Sequence, residues 1–258
     1  NTAGAKINNN VITASGPSTG SSPGGIYYWY ISNAAPIECN NNKVHNFYYG
    51  IYIYYPSGTS TARSQIRNNI VTYDRTSQTP YYGLFIGYPN YTSIMHNTTA
   101  LGGATYAYTY AGYLYFSSYN QDSLYNNSFA CYNSGYAIYG YFPTGYNHRM
   151  DFNNLYSSGS TLIYDGAGSF NSLTTLKASA FATGNGNAWA NSINYDPGTL
   201  TNLGLPNSSS PNCWALNGRA LQLPYANKDY NGSSRVTNRA NGVPDIGAVE
   251  FDPAVAPP

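Results

Sequence analysis

Polar and apolar positions alternate around a recurring asparagine. It closes the stretches Ile7-Asn8-Asn9-Asn10, Cys39-Asn40-Asn41-Asn42, Ile66-Arg67-Asn68-Asn69, Ile94-Met95-His96-Asn97, Leu124-Tyr125-Asn126-Asn127 and Asp151-Phe152-Asn153-Asn154. The last Asn of each, Asn10, Asn42, Asn69, Asn97, Asn127 and Asn154, recurs at steps of 32, 27, 28, 30 and 27 residues. Three positions earlier stands an apolar residue in every repeat but the sixth, which has Asp151, and two positions later stand Ile12, Val44, Val71, Thr99, Phe129 and Tyr156. Self-similarity at a fixed period is the signature of a repeat architecture. Asn tolerates the left-handed backbone of a sharp bend, and Asn side chains stacked one repeat apart can bond one another in a ladder. Each repeat therefore reads as strand, Asn bend, strand.

A second mark has the same period. Gly25-Ile26-Tyr27-Tyr28-Trp29, Gly50-Ile51-Tyr52-Ile53-Tyr54, Gly83-Leu84-Phe85-Ile86, Gly112-Tyr113-Leu114-Tyr115-Phe116, Gly135-Tyr136-Ala137-Ile138-Tyr139 and Ser160-Thr161-Leu162-Ile163-Tyr164 are β-branched and aromatic runs behind a small residue. Such runs are strand signals. A turn of about 28 residues suits a right-handed parallel β-helix, all-β and of six or more turns, better than helical or leucine-rich repeats. Residues 1–168 are expected to form the turns and 169–258 an irregular closing segment on the same solenoid, with one short helix in 171–181. In alternation, Ile51 and Ile53 face inward, which leaves Tyr27, Trp29, Tyr52, Tyr54 and Phe85 as an outward aromatic stripe. Such a stripe could stack sugars, meet a partner chain or lie beneath the chain's own loops.

Composition narrows the partners. Only 8% of the 258 residues are charged and the formal net charge is +1, which argues against nucleic acid and anionic membrane surfaces. Aromatic residues make up 16%, including 30 Tyr, enough to bury a core. No apolar stretch is long enough to span a membrane. Without a signal peptide or initiating Met, the sequence reads as processed or cut from a longer chain. Cys39, Cys131 and Cys213 are far apart and odd in number, so no disulfide framework follows, and Cys39 reads as a small core residue in the slot of Ile66 and Ile94.

Toward the C-terminus, Phe152-Asn153-Asn154-Leu155-Tyr156-Ser157, the Leu173–Gly184 stretch, Asn191-Ser192-Ile193 followed by Asp196-Pro197, and above all Asp229-x-x-Gly232-x-x-Arg235 followed by Pro244-Asp245-Ile246-Gly247-Ala248-x-Glu250 resemble the closing portion of pectate-lyase-like right-handed β-helix proteins. Where members read Ser-Pro-Ala-Ile-Asp or a close variant, this chain has Gly218-Arg219-Ala220-Leu221-Gln222. The resemblance implies the fold and export to the cell exterior or surface, in many such proteins by the type IX route with a cleaved sorting module.

The candidate chemistry is sparse. Sugar-cleaving β-helix enzymes need paired carboxylates or a calcium site with a base, and residues 1–150 hold only Glu38, Asp74 and Asp122, none adjacent to another. No catalytic residue, metal ligand or cofactor is assigned. Asp151 beside His148 and Arg149 reads as a solvated edge, His96 as a bend residue replacing Asn, and His45 has no partner visible in the sequence. Asp229, Arg235, Asp245 and Glu250 read as ties that pin the closing segment. Sequons stand at Asn90, Asn97, Asn126, Asn207 and Asn231, of which Asn97 belongs to the ladder and Asn126 lies beside it, so chance in an Asn-rich chain explains those two, while Asp122-Ser123-Leu124 resembles a bacterial O-glycosylation acceptor with Ser123 pointing outward. The first turn begins close to residue 6, so Ile7 and Val11 are candidate contacts for another copy. The expectation is a secreted, non-enzymatic structural or adhesive β-helix that assembles with itself, with carbohydrate binding or degradation as the alternative.

Overall fold

The computed structural model describes residues 4–15, 23–29, 35–116, 121–199, 204–236 and 242–257. Three short strands make each turn. The first turn has β1 (Lys6–Asn8), β2 (Val11–Thr13) and β3 (Gly24–Tyr28), and the second β4 (Glu38–Asn40), β5 (Lys43–His45) and β6 (Tyr49–Tyr54). The third has β7 (Ser64–Arg67), β8 (Ile70–Tyr73) and β9 (Tyr82–Gly87), and the fourth β10 (Thr92–Met95), β11 (Thr98–Leu101) and β12 (Tyr110–Tyr115). The fifth has β13 (Ser123–Tyr125), β14 (Ser128–Cys131) and β15 (Tyr136–Tyr141), and the sixth β16 (Arg149–Asp151), β17 (Asn154–Ser157) and β18 (Ile163–Tyr164). Equivalent strands pair in parallel, so the first sheet runs β1-β4-β7-β10-β13-β16, the second β2 through β17 and the third β3 through β18. A final strand, β19 (Ser169–Phe170), folds back antiparallel on β18. The chain is thus a parallel β-solenoid.

Asparagine amides hold the corner between the first and second sheets. Asn42, Asn69, Asn97 and Asn127 are buried, and each carboxamide oxygen accepts from both the backbone N–H and the side-chain amide of the preceding rung. Their Nδ2 groups also donate to the carbonyls of Ile7, Cys39, Ile66 and Ile94 one turn back. The ladder Asn is not itself the left-handed residue. That role falls to its predecessor, with φ of 61° at Asn9, 57° at Asn41, 53° at Asn68, 52° at His96 and 61° at Asn126.

The sixth turn departs from the expected register. Asn127 donates to Asn153, not Asn154, because Phe152 takes the left-handed position with φ of 56°. Met150 then fills the inward slot expected of Asp151, and Leu155 the slot expected of Tyr156. The step here is 26 residues. Two adjacent asparagines mark bend and rung in four other turns, but here they mark rung and strand start. Asn154 instead holds the closing segment, donating to the Tyr195 carbonyl and accepting from the Tyr195 N–H.

Small residues are required where the second and third sheets converge. A Cβ at Gly25 or Gly50 would lie 2.3 Å from Val44 Cγ1 or Val71 Cγ1, respectively. The register places Ala111 and Ala137, rather than Gly112 and Gly135, in the same column as Gly83. Gly112 has a different use, since a Cβ there would lie 2.9 Å from the large Phe129 ring. Cys39 is buried in the core, and burial pushes its thiol up to about 12.

The closing segment seals one end and two sides. Two short helices, α1 (Leu173–Lys177) and α2 (Ala180–Gly184), replace the single expected helix, each started by a serine cap at Ser172 or Ser179. Leu176, Phe181, Ala182 and Trp189 join the main core, and Trp189 donates its backbone N–H to Met150. Further on, Leu223 and Ala226 pack on Met95 of the first sheet, while Ala248 and Val249 pack on Ile70 of the second. No helix among the described residues is long and apolar enough to cross a membrane.

Asn69→Ala removes two donors and an acceptor shared by two groups at a buried corner. Unpaired buried groups cost about 1–3 kcal/mol each, so a loss of about 3 kcal/mol is expected in urea unfolding, and a loss under about 0.5 kcal/mol would contradict the ladder's role.

Candidate functional site

The corner residues that precede the ladder turn outward and tie down the closing segment. Asn68 donates to the Lys228 carbonyl, and Asn126 both donates to the Leu221 carbonyl and accepts from its N–H. His96 bonds Asn126 and lies 3.3 Å from the Gly247 carbonyl. Its burial, reinforced by the charge of Arg235, holds its pKa well below the usual histidine value. Arg235 reaches the same corner, donating to the Gly247 carbonyl and pairing with Glu250. Asp229 accepts from the N–H groups of Ser233 and Glu250, and Asp245 from those of Gly218 and Phe251. The conspicuous charged motif is therefore a clasp.

The remaining candidates are also engaged structurally. Asp151 lines a cleft of about 530 Å³ together with Arg149, but its oxygens accept from the N–H groups of Phe152 and Asn191 and the Asn191 amide. His148 is buried, not a solvated edge, and its Nδ1 lies 3.7 Å from Asp122. Burial pushes the Asp122 carboxyl up to about 7, and it accepts from the Thr92 N–H. His45 has partners that the sequence did not reveal, Thr72 and Asn46 at 2.8 Å. Ser123 points away from the core but is buried, with Arg63 donating to its hydroxyl and Tyr225 lining the same small cleft. Among the described residues, no three His, Cys, Asp or Glu side chains come together to hold a metal ion.

The third sheet differs from the other two. The closing segment's apolar anchors fall on the first and second sheets, and every substantial element contact of β3, β6, β9, β12 and β15 is with another strand. Its outer side carries rings stacked turn upon turn. Tyr27, Tyr52, Phe85, Tyr113, Tyr139 and Tyr164 form one column with centroid separations of 4.3, 4.1, 5.2, 5.1 and 4.6 Å. Tyr49, Tyr82, Tyr110 and Tyr136 form a second, at 5.4, 6.0 and 5.5 Å. A third holds Trp29 on Tyr54 and Tyr115 on Tyr141, interrupted at Gly87, where a Cβ would lie 2.5 Å from the Tyr54 ring. The stripe expected from the sequence is the start of this face.

Stacking decides what the face can offer. Parallel strands sit about 4.8 Å apart, so rings on neighbouring turns meet face to face and use up one another's π surfaces. Phe85 is consequently only 7% exposed although it points outward. Ring edges and hydroxyl groups face solvent along the column. At its first turn, Tyr27 and Trp29 are 55% and 53% exposed and parallel within 1°, and they retain ring surface. No charged side chain occupies the three columns. Val11, expected at an assembly contact, is 70% exposed on β2, while Ile7 is half-buried against the core.

Burial in the stack raises the phenol pKa values of Tyr52, Tyr82, Tyr110 and Tyr113, with neighbouring phenols adding to the effect. A folded pKa above the unfolded value near 10 leaves stability intact below that pH and removes it as pH rises further. Melting temperatures should thus be flat up to about pH 9 and fall above about pH 10, as the tyrosinate absorbance of the stacked phenols rises. Ionisation of all 30 tyrosines near pH 10 with the fold retained would contradict the stacked arrangement. Compared with protein-family models, curated proteins and solved structures, the chain matches none.

Proposed function

We propose that this protein is an extracellular structural or adhesive element that works through the aromatic face of its third sheet, with other copies of itself as partners. One observation carries the reading: among the described residues, the closing segment's apolar anchors rest on the first and second sheets, while the third presents aromatic columns without a charged side chain. Large exposed apolar patches mark interaction sites. Six strands about 4.8 Å apart and three columns make a patch on the order of 400 Å². A stable pair buries about 800 Å² per partner, so the face alone gives weak contacts that gain strength by repetition in a fibre or layer. The likeness of the closing motif to exported pectate-lyase-like proteins supports an extracellular or cell-surface location.

Carbohydrate is the second reading, favoured by the exposed and parallel rings of Tyr27 and Trp29, whose centroids lie 6.1 Å apart. Sugars stack on exposed ring faces, and the rest of the columns present edges. No catalysis is proposed, because the carboxylates near the cleft are tied to backbone groups.

Sedimentation across a concentration series tests the first reading. Reversible association is expected, and Tyr27→Asp with Tyr141→Asp should abolish it while leaving the circular dichroism unchanged. A concentration-independent monomer would sink the proposal, as would association lost only in Val11→Asp. Retention on an insoluble neutral polysaccharide, lost in Trp29→Ala, would favour the second reading. Assays on pectin and alginate, with and without calcium, should show no turnover, and turnover abolished by Asp151→Asn or Asp74→Asn would reverse that view.

A further inference from the structure

We infer that the phenol face is a site of oxidative coupling, where tyrosines of two copies are joined carbon to carbon by a haem peroxidase using hydrogen peroxide. The inference rests on the reading that copies meet through this face.

The chemistry of the rings points this way. Outward columns use Tyr at every aromatic position except Phe85 and Trp29, whereas the buried rings of the main core are Phe116, Phe129, Phe142, Phe181 and Trp189, with Tyr73 the one phenol among them. Packing alone would be served by phenyl groups, as it is at Phe85. Competing oxidisable groups are out of reach, since both methionines, Met95 and Met150, and all three cysteines are buried. An oxidant arriving from solvent therefore meets phenols, Trp29 and the half-buried Trp214 first.

Geometry then selects links between copies over links within one. A carbon–carbon bond is about 1.5 Å long, and coupling joins ring carbons adjacent to the phenol oxygen, edge to edge. Within the column the rings lie parallel, 4.1 to 5.2 Å apart, pinned by the sheet. Stacked neighbours cannot couple while the sheet stays intact. Their reactive edges face outward, the arrangement that hinders sugar stacking and suits coupling to an opposed face. Each phenol gives one electron to the peroxidase haem and its O–H proton to solvent. Two phenoxyl radicals then join at ortho carbons, both ortho hydrogens move to the oxygens to restore the phenols, and one peroxide becomes two waters for each link.

The test treats the full chain with a haem peroxidase and hydrogen peroxide, then reads covalent oligomers on a denaturing gel, dityrosine fluorescence and the linked peptides. Links should map to Tyr27, Tyr55 and Tyr141, which are exposed on the face or at its edge. Changing these three to Phe should preserve reversible association and lower the covalent yield several-fold. Tyr106, Tyr108, Tyr195 and Tyr225 are similarly exposed but lie off the columns, so their Phe variants should leave the yield unchanged. Links mapping mainly to those four, or an undiminished yield from the Tyr27, Tyr55 and Tyr141 variant, would overturn the inference. Sedimentation before oxidant is added separates the two readings. A monomer that nevertheless couples through the face overturns self-association alone, and an associating protein that couples elsewhere overturns the coupling alone.

Discussion

A chain that bends sharply six times around an apolar core leaves backbone N–H and C=O groups at every corner, where water cannot reach them. Each such group must find a partner within the protein or cost on the order of 1–3 kcal/mol. The inward asparagine meets this demand with a single side chain, accepting two hydrogen bonds and donating two at each interior rung. Fixing that corner fixes the register of the first and second sheets. The glycine and alanine column then lets the third sheet close against the second, and its outward residues fall into line turn by turn.

The same corner sets which surfaces remain available. The residue before each rung must be left-handed and points away from the core. At Asn68, His96 and Asn126 its polar side chain becomes an anchor for the closing segment. Bend chemistry in the solenoid and the charged motif near the C-terminus are thus two halves of one attachment. Among the described residues, the attachment anchors on the first two sheets, and the third carries the aromatic columns.

Most of the solenoid could be read from the sequence because its two marks are short-range and repeated. The solenoid, the inward apolar columns and the outward Tyr positions all follow from period and alternation. The sixth turn lies one residue off the register that aligning asparagine with asparagine predicts, because Phe152 occupies a backbone conformation that favours Asn. The cover over Ser123 was equally hidden, since it depends on Arg63 and on residues about a hundred positions away. Ring stacking could have been anticipated from the Tyr columns once the strand spacing was known. What could not be anticipated was on which sheets the closing segment would anchor.

The ladder also gives the molecule an electrical direction. From Asn10 to Asn127 every carboxamide donates to the next rung, so the side-chain amides of the series point the same way along the solenoid axis. An amide carries a dipole of about 3.5 D, and aligned dipoles add head to tail. Two solenoids lying side by side are therefore favoured when they run in opposite senses, whereas two meeting end to end are favoured when they run in the same sense. An array built through the lateral face would alternate up and down, and its net polarity would vanish.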